Sequence, residues 1–292
     1  MAFTNNPWNE AGYDVFVVAG QSNCLTGQGA DFANLDAGNS RTYCLGRAMP
    51  ERKTTKSNNE NGEFVEMAFW NTDYRVTSIL NQPTMHNWAS IEHNGFDRHF
   101  AQHYIDNGHL TGTRDIMLVT SAWPGTGFGT GSAVTADGQN AYWGVGEYLY
   151  EDMLVRTNFV MRQNPLNTLK GVLWMQGEED WFAKNETQYS AALDAQIADF
   201  RSRVQVSNRS TIPWIVGGQI PFWVDNNGGT SQGVYQSLIN IASRVSNTGF
   251  ADPRTPTTIQ NTLRPETEDP LHYDAAAQRE LGLRFYTAWA SL

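Results

Sequence analysis

Four short apolar runs, each cut off by a glycine or a polar turn, alternate along this chain with longer stretches of mixed polarity. Val15-Phe16-Val17-Val18-Ala19 stops at Gly20; Ile116-Met117-Leu118-Val119 gives way to Thr120-Ser121 and a Pro124-Gly125 turn. Val172-Leu173-Trp174-Met175 runs into Gln176-Gly177, and Trp214-Ile215-Val216 into Gly217-Gly218. Unbroken β-branched and aromatic runs of this length predict buried strands, over 14–19, 115–121, 170–176 and 213–220. The stretches between them predict helices over 96–107, 146–163, 186–206, 231–246 and 275–289. The last is the clearest: Asp274 can cap it, and Leu281, Phe285, Ala288 and Trp289 fall on one face. Strands separated by helices argue for an α/β fold in three layers, with a parallel sheet covered on both faces.

The remaining segments read as connections. Residues 50–63 are the most polar stretch and predict an exposed loop, since the strand pattern resumes beyond them. Residues 225–230 and 251–270 are rich in turn formers. No repeat or heptad pattern interrupts the scheme. A length of 292 residues, 40% hydrophobic and 12% aromatic, suits one large domain over 1–292 with elaborated loops.

Charge narrows the partners. With 20 Lys+Arg against 30 Asp+Glu, the formal net charge is −10. An acidic surface repels nucleic acid and anionic membranes at long range, so neither is expected as a partner. A local arginine could still receive an anionic sugar. No apolar run is long enough to span a bilayer. Residues 1–13 lack a basic start followed by an apolar stretch, so no secretory signal is visible. The expected setting is the cytoplasm, a larger particle or a longer chain; the oligomeric state is open. Cys24 and Cys44 suggest no disulfide framework, and two reduced, buried thiols are expected.

Candidate chemistry gathers where strands end. A buried strand that stops at Gly20 delivers Ser22 to the carboxyl edge of the sheet, where open α/β sheets bind ligands. A serine on such a turn can also offer its own backbone N–H to an oxyanion. Asp269 and His272 stand three positions apart on the loop before the last helix, close enough to face one point. They supply the base and the orienting carboxylate that a serine nucleophile needs. Gln176 ends a second strand level with Ser22, and its amide is a candidate oxyanion donor. Gly125 ends a third, where a bare backbone N–H can approach substrate.

Each block alone is a weak signal. In order, Gly-Gln-Ser-Asn at 20–23, Pro-Gly-Thr at 124–126, Trp-Met-Gln-Gly-Glu-Glu-Asp at 174–180 and Asp-Pro-Leu-His at 269–272 resemble the SGNH hydrolase superfamily. The branch they resemble is the sialate O-acetylesterase-like one, which includes carbohydrate esterase family six. The resemblance runs from about Val15 to Trp289. It implies a flavodoxin-like sheet and a serine esterase that removes O-acetyl groups from an acetylated carbohydrate, with no metal or organic cofactor. It implies Ser22 as nucleophile, His272 as base and then acid, and Asp269 as its orienting partner. The oxyanion hole would be the N–H groups of Ser22 and Gly125 with the Gln176 side chain. Gln21, Trp123, Trp143 and Glu178 are candidate substrate contacts, with core packing an equal reading for the two tryptophans, which flank the Gly125 turn. Three positions depart from the family's pattern: Cys24 where Met is common, Pro124 where Gly is usual, and a glycine-rich segment, 127–142, that reads as an insertion altering the substrate rim.

Other readings compete. An esterase of the same superfamily could act on a lipid or aryl ester, but the 127–142 segment is polar rather than an apolar rim. A catalytically silent carbohydrate-binding module of a larger assembly, such as a viral one, is disfavoured by the intact Ser22, Asp269 and His272. His99 and His103, at i and i+4, have zinc-ligand spacing, yet Phe100 stands where a metalloprotease needs Glu. His86, His93 and His109 read as loop residues. Glu178, Glu179 and Asp180 lie on one turn and cannot straddle a glycosidic bond as a catalytic pair; supporting the Gln176 turn is the simpler role. Asp225-Asn226-Asn227-Gly228-Gly229 has calcium-friendly oxygens but not the loop spacing, and reads as a turn.

Overall fold

The computed structural model describes residues 9–25, 27, 29–31, 33–45, 76–78, 94–131, 140–260 and 269–292. The sheet contains β1 (Tyr13–Gly20), β2 (Thr42–Leu45), β3 (Val76–Ser78), β4 (Asp115–Thr120), β5 (Thr168–Met175), β6 (Trp214–Gly217) and β7 (Thr248–Ala251). Its spatial order is β3-β2-β4-β1-β5-β6-β7. All neighbours pair in parallel except β2 with β3, which pair antiparallel at the edge. Within it, β4-β1-β5-β6-β7 has the flavodoxin-like order, so the expected parallel sheet is present, with β2 and the antiparallel β3 added outside β4. Chain direction across the sheet reverses between β1 and β5. That is the topological switch point at which such sheets open a crevice beyond the strand ends.

The helices are α1 (Asp97–Asp106), α2 (Tyr148–Gln163), α3 (Glu186–Arg203), α4 (Pro221–Asn226), α5 (Gly233–Ile239), α6 (Ile241–Arg244) and α7 (Ala275–Ala290). Side chains three apart on a strand point to opposite faces. On β6, Trp214 packs edge-on to Phe200 of α3, whereas a Cβ at Gly217 would strike Phe285 of α7. Helices α1 and α7 therefore cover one face, with Phe96 stacked on Phe285. Helices α2, α3 and α5 cover the other. Every residue of β1 is buried, as two covered faces require.

The expected single helix over 231–246 is broken at Asn240 into α5 and α6. Strands β2, β3 and β7 and helix α4 lie outside the sequence-based expectations. At three or four residues these strands show no periodicity, and β7 carries a glycine. Helix α7 starts as expected, with the Asp274 carboxylate accepting from the Ala277 N–H at 2.7 Å. Cys24 and Cys44 are both buried and share no disulfide. The expected loop at 50–63 lies outside the described residues, as do His86, His93 and 132–139 of the glycine-rich segment. Among the described residues no helix is long and apolar enough to cross a membrane.

Candidate active site

The site is assembled at the switch point by backbone bonds between neighbouring strand ends. Gly20, at φ 131°, leaves no room for a side chain: a Cβ there would lie 1.9 Å from the Met175 carbonyl oxygen. The Gln21 N–H donates to that oxygen at 2.8 Å, so the chain turns off β1 pressed against the end of β5. A single 3₁₀ turn follows over Ser22–Cys24, and it presents Ser22. The stretch after β4 is stitched to the same edge, because Ser121 N–H donates to Val18 O and Trp123 N–H to Gly20 O. Those bonds hold the stretch leading to the Gly125 turn (φ 65°) against the end of β1.

The 269–272 loop completes the arrangement from the far end of the chain. His272 Nε2 lies 2.8 Å from Ser22 Oγ, and His272 Nδ1 lies 2.7 Å from Asp269 Oδ2. The other carboxylate oxygen of Asp269 accepts from the N–H groups of Leu271 and His272, which fixes the loop's curvature. A carboxylate at Nδ1 sets the tautomer that leaves Nε2 able to accept the serine proton. Ser22 is buried, while the Asp269 and His272 side chains are 37% and 24% exposed. The relay therefore runs from a buried hydroxyl to a half-exposed carboxylate.

Asn23, which the sequence reading did not single out, ties the two halves together. Its Nδ2 donates to Glu178 Oε1 at 2.6 Å and to Leu271 O at 3.0 Å; its Oδ1 accepts from Tyr273 N–H at 3.0 Å. One amide thus grips the residues on both sides of His272. Gln278 of α7 donates to the Asn23 carbonyl as well. The signal was adjacency to Ser22, but an asparagine in a tight turn reads as local turn chemistry, and Glu178 and Tyr273 are 155 and 250 residues away along the chain.

Several of the predicted contacts are buried and bonded within the protein. Gln176 is fully buried. Its amide nitrogen faces Asp180 Oδ2 at 2.9 Å, Thr126 O at 3.2 Å and Gln21 Oε1 at 3.3 Å, and its Oε1 accepts from Tyr189 OH. A nitrogen against a carboxylate fixes the amide's orientation. Its two amide hydrogens thus face three protein acceptors, and the expected donation to an oxyanion would compete with them. Gln21 is also buried, its Oε1 accepting from Gln176 and from the N–H groups of Gly177 and Glu179. Trp143, only 1% exposed, donates from Nε1 to Thr126 Oγ1 and packs edge-on to Trp174, so it is core and not substrate wall. Trp123 is 8% exposed.

Glu178 is buried, with one oxygen held by Asn23 and the other facing no protein donor. Burial pushes its carboxyl above the usual carboxylate range, against the pull of the Asn23 donor and of His272 nearby. Asp180 is the knot of the Gln176 turn. It accepts from Gln176, from Phe128 N–H and from Thr130 Oγ1, binding the β5 loop to the first part of the glycine-rich segment. Within this acidic run, Asp180 is the residue that bonds to the Gln176 side chain.

The competing motifs dissolve. His99 contacts Asn94 and Asp36, His103 stacks on Tyr286, and the described residues contain no cluster of three metal-ligating side chains. Asp225 pairs with Arg254.

A Ser–His–Asp relay at the switch point of a flavodoxin-like sheet is the build of a serine hydrolase. More narrowly, the chain belongs to the family described as carbohydrate esterase, sialic acid-specific acetylesterase, whose model matches residues 12–291. That is the family the four motif blocks resemble. A probable 9-O-acetyl-N-acetylneuraminic acid deacetylase of Escherichia coli (strain K12) is 27% identical over 127 residues; the match spans 38% of this chain and 39% of that protein's length. Among solved structures, NanS superposes with a TM-score of 0.70 at 19% identity, covering 97% of this chain and 98% of that one. A protein from Arabidopsis thaliana gives 0.64 at 22% identity, covering 96% and 98%. A carbohydrate acetylesterase from Xanthomonas citri gives 0.58 at 16% identity, covering 94% of this chain and 55% of that one. At these identities the likeness shows the shared fold.

Proposed function

We propose that this protein is a serine O-acetylesterase acting on an acetylated carbohydrate. The observation that carries the reading is the continuous relay from Asp269 through His272 to Ser22, at 2.7 and 2.8 Å, on a chain of the carbohydrate esterase family. Ser22 Oγ attacks the acetyl carbonyl while His272 Nε2 takes its proton, and Asp269 stabilises the imidazolium. The N–H groups of Ser22 and Gly125 receive the oxyanion, and Gln176 holds the turn behind them. Collapse of the tetrahedral intermediate breaks the C–O bond to the sugar, whose oxygen takes the proton from His272. Water, deprotonated by the same imidazole, attacks the acetyl-serine, and acetate leaves with Ser22 reprotonated.

The test is acetate release from a panel of O-acetylated sugars and polysaccharides by wild type and Ser22→Ala. Release that disappears in the variant supports the reading, and the best substrate names its class. Turnover of simple aryl or lipid esters alone, with every acetylated carbohydrate untouched, would overturn it.

A further inference from the structure

Two phenylalanines stand out from an otherwise ordinary surface. Phe182 is 76% exposed and Phe222 is 55% exposed, and they are the only aromatic side chains among the described residues' exposed large hydrophobics. Burying a ring of this size is favourable, so folding alone does not favour leaving either in water. Both sit at the carboxyl edge of the sheet. Phe182 lies on the turn after β5, four residues beyond Glu178; Phe222 is the second residue of α4, which follows β6.

The two turns are fastened to each other and to the catalytic crevice. Trp181 packs on Trp223 at 4.5 Å between ring centroids, and its Nε1 donates to Asn227 O just beyond α4. Each exposed ring is thus the sequence neighbour of one member of a buried tryptophan pair. Gln219 Nε2 donates to Gln176 O, and Tyr273 OH donates to Gly218 O, which anchors the β6 loop beside Gln176 and beside the residue that follows His272. Neighbouring strands are about 4.8 Å apart, so the ends of β1, β5 and β6 span about 10 Å along this edge. Hydrogen-bonding groups accompany the rings: Asp225 and Asn226 are exposed beside Phe222, and Arg254 pairs with Asp225.

We infer that Phe182 and Phe222 form an aromatic subsite for the sugar units flanking the acetylated residue, so that the enzyme works on oligomeric or polymeric glycans. This rests on the esterase reading above. A pyranose ring is amphipathic, with C–H bonds on its faces and hydroxyls on its rim. An aromatic face attracts the C–H bonds, and polar neighbours meet the hydroxyls. Rings held on two mutually braced turns are pre-organised for this, which limits the ordering cost of binding. The path runs from Ser22 across the ends of β5 and β6.

The experiment compares wild type with Phe182→Ala/Phe222→Ala on an aryl acetate, an O-acetylated methyl glycoside and O-acetylated oligosaccharides of two to six units. In wild type, kcat/KM rises with oligosaccharide length. In the double variant the ratio of longest-oligosaccharide to aryl acetate kcat/KM falls about tenfold or more, through KM rather than kcat. Phe182→Tyr/Phe222→Tyr, which keeps the rings, restores it. An unchanged ratio, or an equal loss on the aryl acetate and the oligosaccharides, would overturn the subsite. If wild type cleaves the aryl acetate but no acetylated carbohydrate, the carbohydrate reading itself fails and the subsite with it. That outcome is read from the wild-type arm alone.

Discussion

Replacing Asn23 by alanine removes the grip on the His272 loop without touching the relay. Three hydrogen bonds go: one to the buried Glu178 carboxylate, one to Leu271 O and one from Tyr273 N–H. Two neutral bonds at about 1 kcal/mol each and one to a charged group at about 1.5–3 kcal/mol give a loss of about 3.5–5 kcal/mol. Nothing in the folded state makes it up, since Asn23 is fully buried and the other Glu178 oxygen faces no protein donor. At about 2–4 °C per kcal/mol for a large domain, Tm should fall by about 10 °C. Catalysis should suffer separately, because a displacement of about 1 Å in a catalytic group costs about 10²-fold. The expected kinetic outcome is a 10- to 100-fold drop in kcat with KM little changed, measured by acetate release below the variant's melting range. A double-mutant cycle with Glu178→Gln isolates the charged bond: Asn23→Ala should cost at least 1 kcal/mol less in the Glu178→Gln background than in wild type (~0.5–3 kcal/mol is usual for contacting pairs). Stability within about 1 kcal/mol of wild type, or additivity within about 0.3 kcal/mol in the cycle, would refute the clamp.

The other expectations are narrower. Ser22→Ala and His272→Ala should each lower kcat by about 10⁴-fold or more, and the double variant by little beyond either. Gln176→Ala should lower kcat and also lower stability by about 2–4 kcal/mol, because it strips one donor from buried Asp180 and an acceptor from Tyr189; a thermal melt matching wild type beside a collapsed kcat would support donation by Gln176 to the oxyanion. Trp143→Phe should cost about 1 kcal/mol for the lost bond to Thr126 and leave KM for every substrate within about twofold. Glu178, whose pKa burial raises in the folded state, contributes most to stability below the ordinary carboxylate range and progressively less as pH rises through its folded value. The Tm difference between Glu178→Gln and wild type should therefore be more favourable to the variant at pH 8 than at pH 5; a difference independent of pH would show that Glu178 does not titrate this way.

Local patterning was enough to place the strands that bear the chemistry. A run of fully buried strand residues has to be continuously apolar, and it has to stop where the backbone turns into the crevice; hence Gly20-Gln21-Ser22 and Gln176-Gly177 were legible as edge residues. The cap at Asp274 was legible for the same local reason, a side chain three residues from the N–H it accepts. Strands β2, β3 and β7 were not, since three or four residues carry too little periodicity and their place in the sheet depends on pairing partners distant in the chain.

Residue type marked Ser22, Asp269 and His272 as candidates for one relay, but only folding brings an oxygen at 22 and a nitrogen at 272 to 2.8 Å. The strand ends and the chemical groups they carry follow from local residue pattern. What the tertiary structure alone decided is which of those groups face the crevice and which are spent holding it. Gln21 and Gln176 read in the chain as groups at a strand end and are buried and hydrogen-bonded in the fold, Trp143 packs in the core, and Asn23, which reads as turn chemistry, bonds to Glu178 and Tyr273. The physical reason is that a buried polar group must find partners or be costly. Those partners lie on other strand ends, and no property of the residue itself announces which ones they will be.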